Sequence, residues 1–190
     1  NPDYDGGYDV RGWGFTYGLL ALLQIKAMHA QPAGSDESID ATIKFLIQAI
    51  TQTEISKVGG WNYARAKGRD AVSAPASFMT APTLLALFEA KQQKFDVDDA
   101  VVDRALDTLE KARTSIGSFR YSGVDGEKAR EPVPGSVGRM VVSEATLFLA
   151  GRSSAANVRS AIDAFIVHWE WLNKRRAQQG CSARRDARRV

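Results

Sequence analysis

The chain repeats itself, and the repeat leaves few folds open. GGWNY (Gly59 to Tyr63) returns 58 residues later as GSFRY (Gly117 to Tyr121), and GGYDV (Gly6 to Val10) is a fainter earlier echo. What lies between the copies alternates in a fixed order. The run 16–28, TYGLLALLQIKAM, has no Gly or Pro after Gly18 and reads as a largely buried helix that QPAGSDES stops. From about Glu37 to Thr53, Ile39, Ile43, Leu46, Ile47 and Ile50 recur at spacings of three and four, while Asp40, Lys44 and Gln48 fall elsewhere. That pattern predicts a helix with one wet face. The second round has TAPTLLALFEAKQQ, with Pro82 near its first turn, and then DVDDAVVDRALDTLEKAR, with Val101, Ala105, Leu106 and Leu109 along one stripe. The third runs through the Gly- and Pro-rich linker REPVPGSVGR into MVVSEATLFLAG and a long helix, SSAANVRSAIDAFIVHWEWLNKRR, after which no aromatic motif follows.

The register supports a repeated unit of aromatic turn, apolar helix, linker and amphipathic helix. Leu19 to Leu22 match Leu84 to Leu87 at an offset of 65, and TAPTLL (80–85) lies over SEATLF (143–148) at 63. Two helices per unit at such a period predict an all-α fold, an α/α repeat of about three helix pairs in which each pair buries its apolar face on its neighbours. The apolar helices are expected to form an inner wall and the amphipathic ones an outer wall. Residues 1–173 make this body, and residues 174–190 a basic, frayed tail.

Composition narrows function further. At 190 residues and 44% hydrophobic the chain can bury a core of its own, and no window has the roughly 18 to 20 apolar residues of a membrane span. A single cysteine, Cys181, rules out an internal disulfide, and with His29 and His168 it makes too thin a set for zinc, so neither metal nor cofactor is expected. The net charge of +3 conceals an acidic body, since one lysine and six arginines face only Asp186 after Asn173. No aromatic residue interleaves with these arginines, so the run is read as a solvated end rather than a specific nucleic-acid interface. Neither G-x-S-x-G nor a phosphate loop occurs. His168, in FIVHWEW, sits on a packing face.

GGWNY and GSFRY, combined with TLLALFEA and ATLFLAG, resemble the repeats of the squalene and hopene cyclases and of the protein prenyltransferase β subunits. The D-x-S-x-T…L-x-A-L helix of those families is matched loosely by Asp70, Ser73 and Thr80 ahead of Leu84 to Leu87. The resemblance covers nearly all of residues 5 to 172. It implies an α/α toroid whose inner helices surround an apolar cavity for an isoprenoid chain. Three pairs make a partial ring, to be completed by further repeats of the same chain or by a partner protein.

The resemblance does not bring a catalytic centre with it. DVDD, Asp96 to Asp99, has the letters of the cyclases' proton-donating D-x-D-D, but it opens an amphipathic outer helix. Acidic residues there cap free amides and complement the helix dipole. GRMVVSEA offers Arg139 and Glu144 in place of a prenyltransferase metal and diphosphate stretch, without its lysine and cysteine. These two are not i, i+4 neighbours, so they are not expected to form a simple helical pair. Candidate ligand contacts are thus the aromatics Trp13, Trp61, Tyr63, Phe119 and Tyr121 and the polar groups of Asp70, Thr80, Arg139 and Glu144. Packing is the plainer role of the repeated aromatics, and a non-catalytic scaffold for protein partners is the alternative to an apolar small molecule.

Overall fold

The structure is a computed structural model that describes residues 8–9, 11–55, 57–63, 65–66, 74–123 and 132–186. Seven helices account for most of these residues: α1 (Gly12–Ala27), α2 (Asp36–Thr53), α3 (Ser77–Gln92), α4 (Asp99–Lys111), α5 (Val133–Leu149), α6 (Ala155–Val167) and α7 (Trp169–Asp186). A two-residue ribbon, β1 (Tyr8–Asp9) antiparallel to β2 (Arg65–Ala66), is the only sheet among the described residues. The class is all-α, as the periodicity predicts. No helix there is long and apolar enough to cross a membrane.

Packing follows the repeat. Each apolar helix meets its own amphipathic partner, α1 on α2, α3 on α4 and α5 on α6, and α3 also packs against both α1 and α5. Thr16 and Thr83 share a hydrogen bond at 2.9 Å and Gln93 donates to the Leu23 carbonyl at 3.0 Å, so α1 and α3 run in the same direction. Thr146 repeats the first contact one unit on, donating to the Ala81 carbonyl at 3.4 Å.

The helix bounds differ from the sequence reading at the starts of α1, α3 and α5 and at the α6–α7 break. α1 begins at Gly12 and buries only Thr16, Leu19 and Leu23, since no helix pair covers its other side; it is not the largely buried helix expected. α3, with neighbours on both flanks, buries most of its length from Ser77 to Ala90. α5 starts seven residues before MVVSEATLFLAG: Pro134 sits in the first turn, where a missing N–H costs nothing, and a Cβ at Gly135 or Gly138 would meet open space. The expected long last helix is broken at His168, which caps α6, and α7 then carries helix through Asp186 where a frayed tail was expected.

Candidate functional site

The aromatic turn is a backbone lock before it is anything else. Gly59 and Gly60 hold φ of +89° and +75°, and a Cβ would sit 2.6 Å from the Arg104 carbonyl oxygen at the first and 2.8 Å from Thr80 Oγ1 at the second. Only glycine fits both the dihedral and the space. The turn closes through Ile55 N–H to the Gly60 carbonyl (2.9 Å) and is tied to α3 by Ala76 N–H to the Trp61 carbonyl (2.8 Å). Trp61 is buried; its indole donates to the Ile50 carbonyl (2.9 Å) and its backbone N–H to Thr80 Oγ1 (3.1 Å). Phe119, the corresponding plate of the next turn, is fully buried, with the Arg113 guanidinium 5.6 Å from its ring. Trp61, Thr80 and Phe119 therefore bind one helix pair to the next, with their faces turned inward.

The neighbouring aromatics do the opposite. Trp13 and Phe78, each the second residue of its helix, lie 6.0 Å apart, and Trp13 stacks on the exposed Tyr17 at 5.5 Å. Phe78 in turn touches Tyr63 at 5.5 Å and Tyr121 at 4.6 Å. The result is a row of partly accessible rings running from α1 across the start of α3 to the second turn. The tyrosines close it with a 3.5 Å contact between their hydroxyls, which raises the Tyr121 pKa above that of an ordinary phenol, with partial burial adding to the rise. Arg139 borders the row, 5.7 Å from the Tyr121 ring, and donates to the Phe119 carbonyl (2.7 Å) and the Gly135 carbonyl (2.9 Å). Along α3 the half-buried Phe78, Pro82 and Leu85 recur at helical spacing and extend the apolar surface away from the rings.

Arg139 and Glu144 do not pair, as their spacing predicts. Glu144 is enclosed, holding Arg113 through two 2.8 Å bonds and accepting from Ser153 Oγ at 2.6 Å. Its equivalent one contact earlier joins Glu54 to Arg104 at 3.0 and 2.7 Å. Arg139 takes over at Phe119 what Thr80 does at Trp61. Ser143, 63 residues after Thr80, is thereby left fully buried with its hydroxyl unpartnered. In DVDD, Asp98 caps α4 by accepting from Ala100 N–H (2.9 Å), and Asp99 pairs with Lys91. These are the structural roles their place at the start of an amphipathic helix implies.

Of the candidate contacts, Trp13, Tyr63, Tyr121 and Arg139 come together on the accessible row. Trp61, Thr80, Phe119 and Glu144 lie beneath it, and Asp70 falls outside the described residues. Sequence reasoning missed Phe78, the hub of the row, which was hidden because α3 begins before TAPTLL, and it missed Arg113, whose partner is 31 residues away. Among the described residues no three His, Cys, Asp or Glu side chains come together as a metal site. No protein-family model, curated protein or solved structure matches this chain.

Proposed function

We propose that this chain is an α/α repeat domain of the terpenoid cyclase and prenyltransferase kind. In this reading it binds an isoprenoid or another apolar ligand along its inner helices and has no complete catalytic centre of its own. The observation that carries it is the accessible row Trp13, Phe78, Tyr63 and Tyr121, continuous with Pro82 and Leu85 along α3. Large planar side chains left open to solvent beside an apolar helix face offer contact area to a hydrocarbon chain, and the two hydroxyls and Arg139 at one end can orient an oxygenated head. The test is mass spectrometry of lipids that co-purify with the chain, joined to melting with farnesyl and squalene analogues. A rise in melting temperature that Phe78→Ser abolishes supports the reading. Empty protein with no shift refutes it.

A protein scaffold is the second reading, favoured by exposed apolar residues away from the row, among them Phe148, Leu149 and Ile166. It predicts that Phe78→Ser leaves partner binding intact.

A further inference from the structure

The amphipathic helices α2, α4 and α6 can be laid over one another on Ile50 and Leu109, which are buried, and Phe165, which is partly buried. α4 and α6 are the same length and start from side-chain caps at the same place, Asp98 and Ser154, while buried Ile43, Leu46, Ile47 and Ile50 of α2 fall over buried Val102, Ala105, Leu106 and Leu109 of α4. Three positions before the anchor stand Ile47, Leu106 and Ile162; the first two are buried and Ile162 is exposed. One and two positions after it stand Thr51 and Gln52, then Glu110 and Lys111, then Ile166 and Val167. Sites that are polar in the first two pairs become aliphatic in the third, where the side chains are 64% and 75% exposed. A repeat stack that ends in water carries a polar outer face on its last unit. The third pair carries the reverse.

The same register shows what the open edge matches. Four positions after the anchor lie Glu54, Arg113 and Trp169. Glu54 and Arg113 are the residues by which one pair grips the next, through Arg104 and Glu144. Trp169, the third of the set, is 52% exposed. Arg104, which reaches back from α4 to Glu54, lies five positions before its anchor; the residue five before Ile50 on α2 is Phe45, 59% exposed. The chain thus presents an aromatic residue at the gripping position of its last pair and another at the receiving position of its first. Between the first two pairs the corresponding positions hold the Glu54–Arg104 ion pair, whereas Arg113 pairs with Glu144 of α5.

We propose that the α6–α7 edge, centred on Ile166 and Trp169, binds the α1–α2 edge of a second copy of this chain, head to tail. Phe45 then meets Trp169 where Arg104 meets Glu54 inside the chain. The contact repeats the placement of the Glu54–Arg104 contact between the first two pairs and does not depend on the ligand reading. Being heterologous, it builds a closed ring or a filament, according to the angle between copies, rather than a two-fold dimer.

The experiment is sedimentation equilibrium of the 190-residue chain over a wide concentration range, for the wild type, Phe45→Arg, Trp169→Glu and the double variant. The wild type is expected to rise in mass with concentration. Each single variant, placing one charge against an aromatic ring, weakens association by about tenfold or more. The double variant recreates the internal Glu54–Arg104 pair in the same register and regains association that both singles lose. Circular dichroism melts at concentrations where all four proteins are monomeric confirm folding, and because both side chains are exposed they should then melt alike. A wild type that stays monomeric overturns the proposal, as do singles that associate like wild type or a double no better than the singles. So does a monomer that instead floats with phosphatidylserine vesicles through Trp169, since the edge then faces lipid.

Discussion

Two bidentate arginine–carboxylate pairs bind successive helix pairs, and their different burial predicts different energetic weights. Glu144 is 4% exposed and Arg113 24%, whereas Arg104 in the other pair is 45% exposed. Glu144→Gln keeps the shape and removes the charge. It leaves a guanidinium that is mostly out of water facing a neutral amide that can accept only one of the two bonds, and it disturbs Ser153. Removing one member of a fully buried pair costs roughly 3–5 kcal/mol. The residual exposure of Arg113 and its contact with the Phe119 ring reduce this to about 2–3 kcal/mol. For a chain of this size the melting temperature falls by roughly 5–10 °C. Glu54→Gln faces a half-exposed partner that water can re-solvate, and its cost is about 1 kcal/mol or less. Thermal and urea unfolding of both variants, followed at 222 nm, measures the difference. Equal losses, or a Glu144→Gln variant within about 0.5 kcal/mol of wild type, would refute the assignment of the buried pair as the stronger lock.

Three further outcomes test the aromatic turns and the helix starts. Trp61→Phe, which removes the indole donor to Ile50 but keeps a plate, is expected to cost about 1 kcal/mol and Trp61→Ala about 3–5 kcal/mol, measured by urea unfolding; similar values for both would mean the hydrogen bond outweighs the packing. The Tyr121 phenol, whose pKa is raised first by its bond to Tyr63 and then by burial, contributes stability that is present below the ordinary phenol value and fades as pH climbs through the folded one. Tyr63→Phe should therefore move the tyrosinate absorbance rise to lower pH, and superimposable titration curves would disprove the coupling. Asp98→Ala should lower stability by about 1 kcal/mol through loss of the α4 cap, while Asp96→Ala changes little; the opposite order would argue against capping as the role of DVDD.

How far the fold was legible depended on which signal each element carried. The amphipathic helices α2 and α4 emerged nearly to the residue, because Ile43 to Ile50 and Val101 to Leu109 announce a 3.6-residue period that only burial on one side requires. The apolar helices were recognisable, but their starts were not. Glycines and prolines mark loops on local grounds, yet Gly12, Gly135, Gly138 and Pro134 all lie inside helices, held there by tertiary packing and first-turn tolerance. That displacement also hid Phe78, the hub of the candidate site, because it lies in a helix start read as linker, whereas Trp13 and Arg139 are among the candidates named from sequence. The aromatic motifs were visible as letters, but not which ring of each pair faces inward. Trp61 and Phe119 are buried while Tyr63 and Tyr121, two residues on, stay accessible, a division set by the turn geometry at Gly59, Gly60 and Gly117.

The two internal contacts are built from one plan but carry different chemistry, and this bears on how the pairs find their order. The carboxylate comes from the earlier pair at Glu54–Arg104, and from the later one at Arg113–Glu144. Were the second pair to dock after the third, Arg104 would lie against Trp169; were the third to dock directly on the first, Ser160 would face Glu54 and leave a buried carboxylate without its arginine. An unpaired charge of that kind costs several kcal/mol, more than most single packing contacts contribute. Polarity reversal between successive contacts therefore penalises misordered stacking of units that are otherwise similar enough in helix length and apolar pattern to exchange. Trp61 and Phe119 supply adhesion that is indifferent to order, and the ion pairs supply the order.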